Sequence, residues 1–189
     1  IINDAINKME DGELLFYSDV GDTFHPDLIP FVEEVIEDDP CLFVVGNAIN
    51  KDFTRRDCFF YMDCDEEDSG NSNQLEAGMS FWRACDESKN IISEYLNYAC
   101  DRRIISDDPN VCGEDNFPSF LEHRWDQSIL TNLAIKYGLS VAPQDIRSYI
   151  ECNYDYWYER YANGGAPLHR PIDTYLQQNK EQLMSLYEN

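Results

Sequence analysis

Leu14-Leu15-Phe16-Tyr17-Ser18-Asp19-Val20-Gly21-Asp22 is the stretch on which the fold reading turns. Four apolar residues in a row open onto a short turn that carries two carboxylates. A brief apolar run ended by turn residues is the pattern of a buried strand. In open α/β sheets, ligands bind at the carboxyl edge of such strands. Asp19 and Asp22 therefore stand where a ligand is expected. Two hard oxygen donors suit Mg²⁺ or Mn²⁺. The bland alternative is a turn that uses its Asp residues for local hydrogen bonds.

Outward from this stretch, strand and helix patterns alternate. Ile1–Met9 has a short amphipathic spacing, stopped at Glu10-Asp11-Gly12. Pro26–Ile36 reads as a helix and Cys41–Val45 as a second buried strand ended by Gly46-Asn47. Asp63–Asn73 reads as an acidic loop rich in Ser, Asn and Gly. Leu75–Trp82 reads as a third strand around Gly78. Lys89–Cys100 is amphipathic, with Asp86 or Ser88 expected as its N-cap. Asp107–Pro118 is expected to be a loop. Asp126–Tyr137 places Ile129, Leu130, Leu133, Ala134 and Tyr137 on one expected helix face, with Gly138 as the stop. Leu139–Ala142 is read as a short strand, Tyr149–Tyr161 is aromatic-rich, and Asp173–Leu186 is a final helix. Alternating strands and helices predict an α/β class.

The 189 residues suit one domain. Leu, Ile, Val and Phe make up 46 of them, above the roughly 20% below which a charged chain reads as disordered. The net charge of −23 makes nucleic acid and anionic membrane surfaces poor partners. It leaves phosphate ligands open, because a divalent cation can sit between carboxylate and phosphate. No apolar run is long enough for a membrane span, and no signal-peptide pattern is present. Seven cysteines without a CxxC pair fit neither a disulfide framework nor a zinc site. Reduced thiols in a cytoplasmic protein are the expectation.

Three further places concentrate chemistry. Glu122-His123-Arg124-Trp125-Asp126-Gln127-Ser128 packs an acid, a base candidate, a cation and an amide ahead of a helix. Asp126 or Ser128 as a helix cap is the simpler reading, and it leaves His123 and Arg124 unexplained. Pro167-Leu168-His169-Arg170-Pro171 sets His and Arg in a Pro-bounded loop, suited to a metal, to a phosphate or merely to solvent. Thr54-Arg55-Arg56-Asp57 holds two of only 14 basic residues. They either bind an anion or offset nearby acids.

Taken together, these segments resemble a family. Gly12-Glu-Leu-Leu-Phe-Tyr-Ser-Asp19-Val-Gly resembles the Asp-motif strand of GT-A type nucleotide-sugar glycosyltransferases. Gln74-Leu-Glu-Ala-Gly78-Met-Ser-Phe resembles the Asn-Ala-Gly strand of that fold. His123-Arg-Trp-Asp126-Gln127-Ser-Ile-Leu is similar to the HRxDQS segment of small bacterial and viral glycosyltransferase-like proteins, and to the DQxxLN segment of glycogenin-like and galactosyltransferase-like enzymes. The resemblance covers residues 1–140; beyond them it rests on His169.

It implies a GT-A-like, Rossmann-like mixed sheet flanked by helices. It implies a nucleotide-sugar donor, a glycan or other hydroxyl acceptor, and Mn²⁺ or Mg²⁺. Asp19 would be the metal-bridging carboxylate, with Asp22 and His169 as further ligands. Glu76, where related enzymes often carry Asn, and Gly78 would face the donor sugar. His123 and Arg124 would bind substrate, and Arg55, Arg56 and Arg170 the phosphates. Asp126 and Gln127 would lie at the reacting sugar. The spacing here is DVGD and not DxD. The family places a nucleotide-binding βαβ region before the Asp motif, whereas 18 residues precede Asp19. A fragment, or a reduced nucleotide-binding half, is the expectation. Two rivals remain at this stage. One is a non-catalytic acidic binding domain derived from such a fold. The other is a haloacid-dehalogenase-like phosphatase with Asp19 as nucleophile; that family's DxDx[TV] spacing is missed by one residue.

Overall fold

The structure, a computed structural model, describes residues 1–19, 22–151 and 171–182. In chain order its elements are α1 (Ile2–Ile6), β1 (Leu14–Ser18), β2 (Thr23–Phe24), α2 (Leu28–Ile36) and β3 (Cys41–Ile49). A 3-10 turn at Asn50–Asp52 leads to α3 (Arg56–Tyr61), α4 (Glu67–Asn71), β4 (Asn73–Arg83), α5 (Asp86–Ala99), α6 (Arg102–Ile105) and α7 (Trp125–Tyr137). A second 3-10 segment at Gln144–Tyr149, then β5 (Ile150–Glu151) and α8 (Pro171–Gln178), complete them. The chain is mixed α/β, as expected. It divides into two compact units. The first comprises Ile1–Tyr17 with Asp38–Ala142, the second Ser18–Glu37 with Pro143–Asn189.

The first unit is built on a three-stranded sheet in the order β1-β4-β3. β3 and β4 run antiparallel, with Cys41 facing Trp82 and Phe43 facing Ser80. The start of β1 is bonded to the end of β4, through Ala84 N–H to Glu13 O and Gly12 N–H to Ala84 O, both 2.8 Å. Phe16 stacks on Phe81 with ring centres 4.6 Å apart. β1 is only half-buried along its length, not fully buried as its apolar run suggests. It is an edge strand, covered on one side by β4. The expected strand at Leu139–Ala142 is one parallel bridge, Phe43 to Val141, on the other edge.

Between Phe43/Ser80 and Val45/Leu75 the register slips, leaving Glu76–Met79 as an enlarged bulge opposite one β3 residue. Bulges turn side chains away from the regular alternation and are frequent beside active sites. Just past it, Gly46 lies so close to β4 that a Cβ there would sit 3.0 Å from the Gln74 carbonyl oxygen. A side chain at that distance forces backbone to move.

α7 differs most from its expected role. Residues Ser128–Ala134 are all buried, so the middle of the helix is enclosed on every side and has no single apolar stripe. Leu130 and Ala134 pack with Phe43, Trp82, Ile91 and Ile92. Ile129 and Leu133 pack on the other side with Cys58, Phe59, Met62 and Ile104. Tyr137, expected on the same face, is half-exposed. Gly138 ends the helix in the left-handed conformation, φ +62°, as predicted. Its start departs from expectation: Arg124 occupies the N-cap position, and neither Asp126 nor Ser128 caps.

The cap of α5 likewise differs, falling one residue before Asp86 and three before Ser88, the two expected. Cys85 is the N-cap, and Ser88, at the third helical position, accepts the Cys85 N–H at 3.2 Å. The acidic segment expected to be a loop contains α4, whose first turn holds Glu67 and Asp68. Carboxylates there complement the helix dipole. The Asp107–Pro118 loop is as expected. Cys41, Cys58, Cys64, Cys85, Cys100 and Cys112 are all free thiols, while Cys152 lies outside the described residues.

The second unit pairs β2 with β5, antiparallel, Thr23 to Glu151 and Phe24 to Ile150. Phe31 of α2 packs on Tyr149, ring centres 5.0 Å apart. His25 lies edge-on between Tyr149 and Tyr175 of α8. Leu28, Val32, Ile36, Ile146, Ile150 and Leu176 are buried. Most of the aromatic Tyr149–Tyr161 segment, and the end of the expected final helix, lie outside the described residues.

Candidate functional site

The first unit contains a cavity of about 240 Å³. Its walls include Ile2 of α1, Tyr17 of β1, Ala77 of the β4 bulge, Ile92 and Tyr95 of α5, and Asp126 of α7. Five elements thus meet at one place. The Tyr95 hydroxyl donates to the Asp126 main-chain carbonyl at 3.2 Å. Burial first, then the neighbouring Asp126 and Tyr17, raise the Tyr95 phenol above its ordinary value. Tyr95 therefore stays a neutral hydrogen-bond donor. Asp126 is exposed, and its Oδ1 accepts the Gln127 N–H at 3.0 Å.

Behind Asp126 runs a buried polar network that fixes the start of α7 against β4. Gln127 Nε2 donates to Gln74 Oε1 at 3.1 Å. The Gln74 amide lies 3.1 Å from Thr54 Oγ1, 3.3 Å from the Phe53 carbonyl and 3.3 Å from Ser128 Oγ. Thr54 Oγ1 donates to Asn50 Oδ1 at 2.7 Å, and Asn50 Nδ2 donates to Asn132 Oδ1 at 2.9 Å. Thr131 accepts the Leu75 N–H at 3.0 Å. Asn50, Thr54, Gln74, Ser128 and Asn132 are all buried. A satisfied buried network rigidifies its surroundings, and each broken member is costly. Sequence reasoning missed Asn50, Thr54 and Asn132 as members. No spacing rule links them, because they come from a 3-10 turn, the loop after it and α7.

The basic residues expected to meet phosphate are placed differently from one another. Arg55 is buried, 3% exposed. It pairs with Asp57, Nη2 to Oδ2 at 3.2 Å, and donates to the Ser106 carbonyl. Asp57 in turn accepts the Val111 and Cys112 N–H groups at 2.9 Å each, fastening the following loop. Burial pushes the Asp57 carboxyl up, but the Cys112 and Val111 hydrogen bonds and Arg55 outweigh it, and the net shift is downward. Arg56 is half-buried, paired with Asp65 at 3.0 Å and stacked over Phe117 at 4.4 Å.

His123 is buried too. Its Nδ1 accepts the Arg55 N–H at 3.3 Å and its Nε2 bonds the Ile104 carbonyl at 2.8 Å. Burial, aided by Arg55 and opposed by the Ile104 hydrogen bond, pushes the imidazole down to about 4. It is neutral at pH 7 and faces protein on both nitrogens. Arg124 lies over Phe53 at 3.8 Å and bonds Glu122 at 3.4 Å. Trp125, between Arg124 and Asp126, has φ +34°. A bulky residue in that region stores about 1–3 kcal/mol of strain. Its indole N–H is held by Asp107 Oδ2 at 3.1 Å.

Asp19 and Asp22 belong to the second unit. Their donor chemistry, two carboxylates three residues apart after a strand, suits an oxygen-preferring cation. Among the described residues, no three His, Cys, Asp or Glu side chains gather as a metal site. His169 and Arg170 lie outside the described residues. Glu76 and Gly78 are half-buried members of the β4 bulge.

No protein-family model, no curated protein and no solved structure matches the chain.

Proposed function

We propose that the protein is a metal-dependent glycosyltransferase, moving a sugar from a nucleotide-diphosphate donor to a hydroxyl acceptor on a GT-A-like scaffold. One observation carries the reading. One residue from each of the three segments that resemble such enzymes, Tyr17 of Gly12–Gly21, Ala77 of Gln74–Phe81 and Asp126 of His123–Leu130, lines one cavity. Nothing in their sequence spacing requires this.

In the proposed reaction, the acceptor hydroxyl gives its proton to the Asp126 carboxylate. Its oxygen forms the new bond to the anomeric carbon of the donor sugar. The bond from that carbon to the diphosphate oxygen breaks, and the electron pair leaves with the diphosphate. Asp19 and Asp22, with His169, would hold Mn²⁺ or Mg²⁺. Such a cation, when bound, stabilises the charge on the leaving diphosphate as a Lewis acid. Arg56, Arg124 and Arg170 would meet the phosphates, and Glu76 and Gly78 the donor sugar. Arg55, His123 and Gln127 act as positioning residues, because their polar atoms are engaged by protein groups. No helix among the described residues is long and apolar enough to cross a membrane.

Calorimetry with Mn²⁺ and a panel of nucleoside diphosphates tests the reading. One diphosphate is expected to bind only with the cation, and Asp19→Ala is expected to abolish that binding. If no diphosphate binds the intact protein under any cation, the reading fails and a non-catalytic acidic binding domain takes its place.

A further inference from the structure

The cavity beside Asp126 has a composition that says what enters it. Resting on the transferase reading, and deepening it, we propose that the cavity is the acceptor pocket and takes an apolar alcohol, a hydroxyl carried on an aromatic or short aliphatic body, in place of a sugar.

Six of the ten residues around the cavity are Ile, Leu or Ala. The four polar ones are Asn3, Tyr17, Tyr95 and Asp126. Tyr95 already donates to the Asp126 carbonyl. A sugar ring carries hydroxyls on every side, and each one buried without a partner costs about 1–3 kcal/mol. Walls of Ile2, Ala77, Ile92, Leu96 and Ala99 offer none. An apolar body gains on the same walls, about 25 cal/mol for each Å² removed from water. The one carboxylate then receives the one hydroxyl.

Charge excludes the other substrate from this place. No Lys or Arg side chain lines the cavity, and Asp126 repels a diphosphate. Size sets the remaining limit. About 240 Å³ falls below the roughly 300–1,000 Å³ of pockets for drug-sized ligands, so the body is a small one. The bulge matters here as well. It is Ala77, out of regular register with β3, that supplies the β4 wall. A large side chain there closes the space.

The test uses 2-phenylethanol, 2-phenylethylamine and glucose as probes of the intact protein, followed through isoleucine methyl resonances. 2-Phenylethanol is expected to shift the Ile2 and Ile92 methyl signals saturably. The amine is expected to bind about tenfold more tightly, through the carboxylate. Asp126→Asn should remove that tenfold advantage and leave apolar binding in place. Ala99→Phe should abolish both, with its methyl spectrum confirming the fold. Glucose should leave the signals unmoved. Shifts caused by glucose and not by 2-phenylethanol overturn the proposal, as does the absence of any shift. An alcohol preference unaltered in Asp126→Asn with no amine advantage in the parent overturns the role of the carboxylate. Diphosphate binding is read separately by calorimetry. Binding of diphosphate without 2-phenylethanol therefore refutes this pocket assignment alone. Binding of 2-phenylethanol without diphosphate refutes the transferase reading, and with it the acceptor role, and leaves a pocket for apolar alcohols.

Discussion

His123 and Asp57 show how single residues here tie charge to stability. The folded chain holds His123 at about 4, against roughly 6.5 for an unfolded imidazole. As pH falls through that window the unfolded chain takes up a proton that the folded chain refuses. Stability therefore falls, by up to about 3 kcal/mol at pH 4. Asp57 acts lower on the scale. Its carboxyl is held below the ordinary value, so its contribution is present above roughly pH 4 and is lost as pH drops through the folded value. Urea unfolding from pH 7 to pH 3 is expected to show both losses in sequence. His123→Gln should flatten the upper part of the profile. Asp57→Asn should cost about 3–5 kcal/mol at pH 7, because Arg55 is left buried without its partner. An unchanged midpoint for Asp57→Asn would show that Arg55 finds another acceptor. Neither residue advertises these roles in sequence. His123 reads as an acid–base candidate because polar residues surround it in the chain, whereas its partners in space are a main-chain amide and a carbonyl 19 residues away.

At the level of elements, the cavity depends on how β4 is held to α7. Gln74→Leu preserves size but strands the groups that Gln74 joins. It is expected to destabilise the protein by about 2–3 kcal/mol in denaturant unfolding, and to loosen the Asp126 end of α7 as read by amide exchange. Gly46→Ala brings a methyl group to 3.0 Å from a backbone oxygen of β4. The expected cost is about 1–3 kcal/mol, with the β4 amides moving most in the spectrum. A neutral Gly46→Ala would mean that the bulge absorbs the displacement. β1, β3 and β4 are legible in sequence as short apolar runs and α2 and α5 as amphipathic ones, whereas β2 and β5, two residues each, are not. β3, β4 and α5 sit within a few residues of their expected places. The acidic helix α4 is hidden because five residues give no period to read. The enclosure of α7 is hidden for another reason. Ser128, Thr131 and Asn132 look like a solvent face, and only the network inside shows them to be buried partners. The candidate site was legible as segments and not as a place. Tyr17, Ala77 and Asp126 share no spacing rule.

For the whole molecule, the division into two units is what the sequence conceals. Neither the acidic Asp63–Asn73 stretch nor the aromatic Tyr149–Tyr161 stretch falls at Tyr17, Glu37 or Ala142, so composition does not mark these as boundaries. The first unit is complete by Ala142. A chain ending there is expected to keep the amide protection of β3, β4 and α7, measured by hydrogen exchange. Loss of that protection would show that the first unit needs the rest of the sequence. The net charge of −23 is carried without a matching basic surface, and several arginines are spent on internal or local pairs. The same division sets a timetable during synthesis. Thr23 and Phe24 leave the ribosome early, but their partners Ile150 and Glu151 follow more than 120 residues later. At about 5–20 residues per second the nascent chain waits on the order of ten seconds. Meanwhile the first unit has every strand and helix it needs. A strand of two residues offers little for a stray neighbour to pair with, so its brevity shelters the growing chain through that delay.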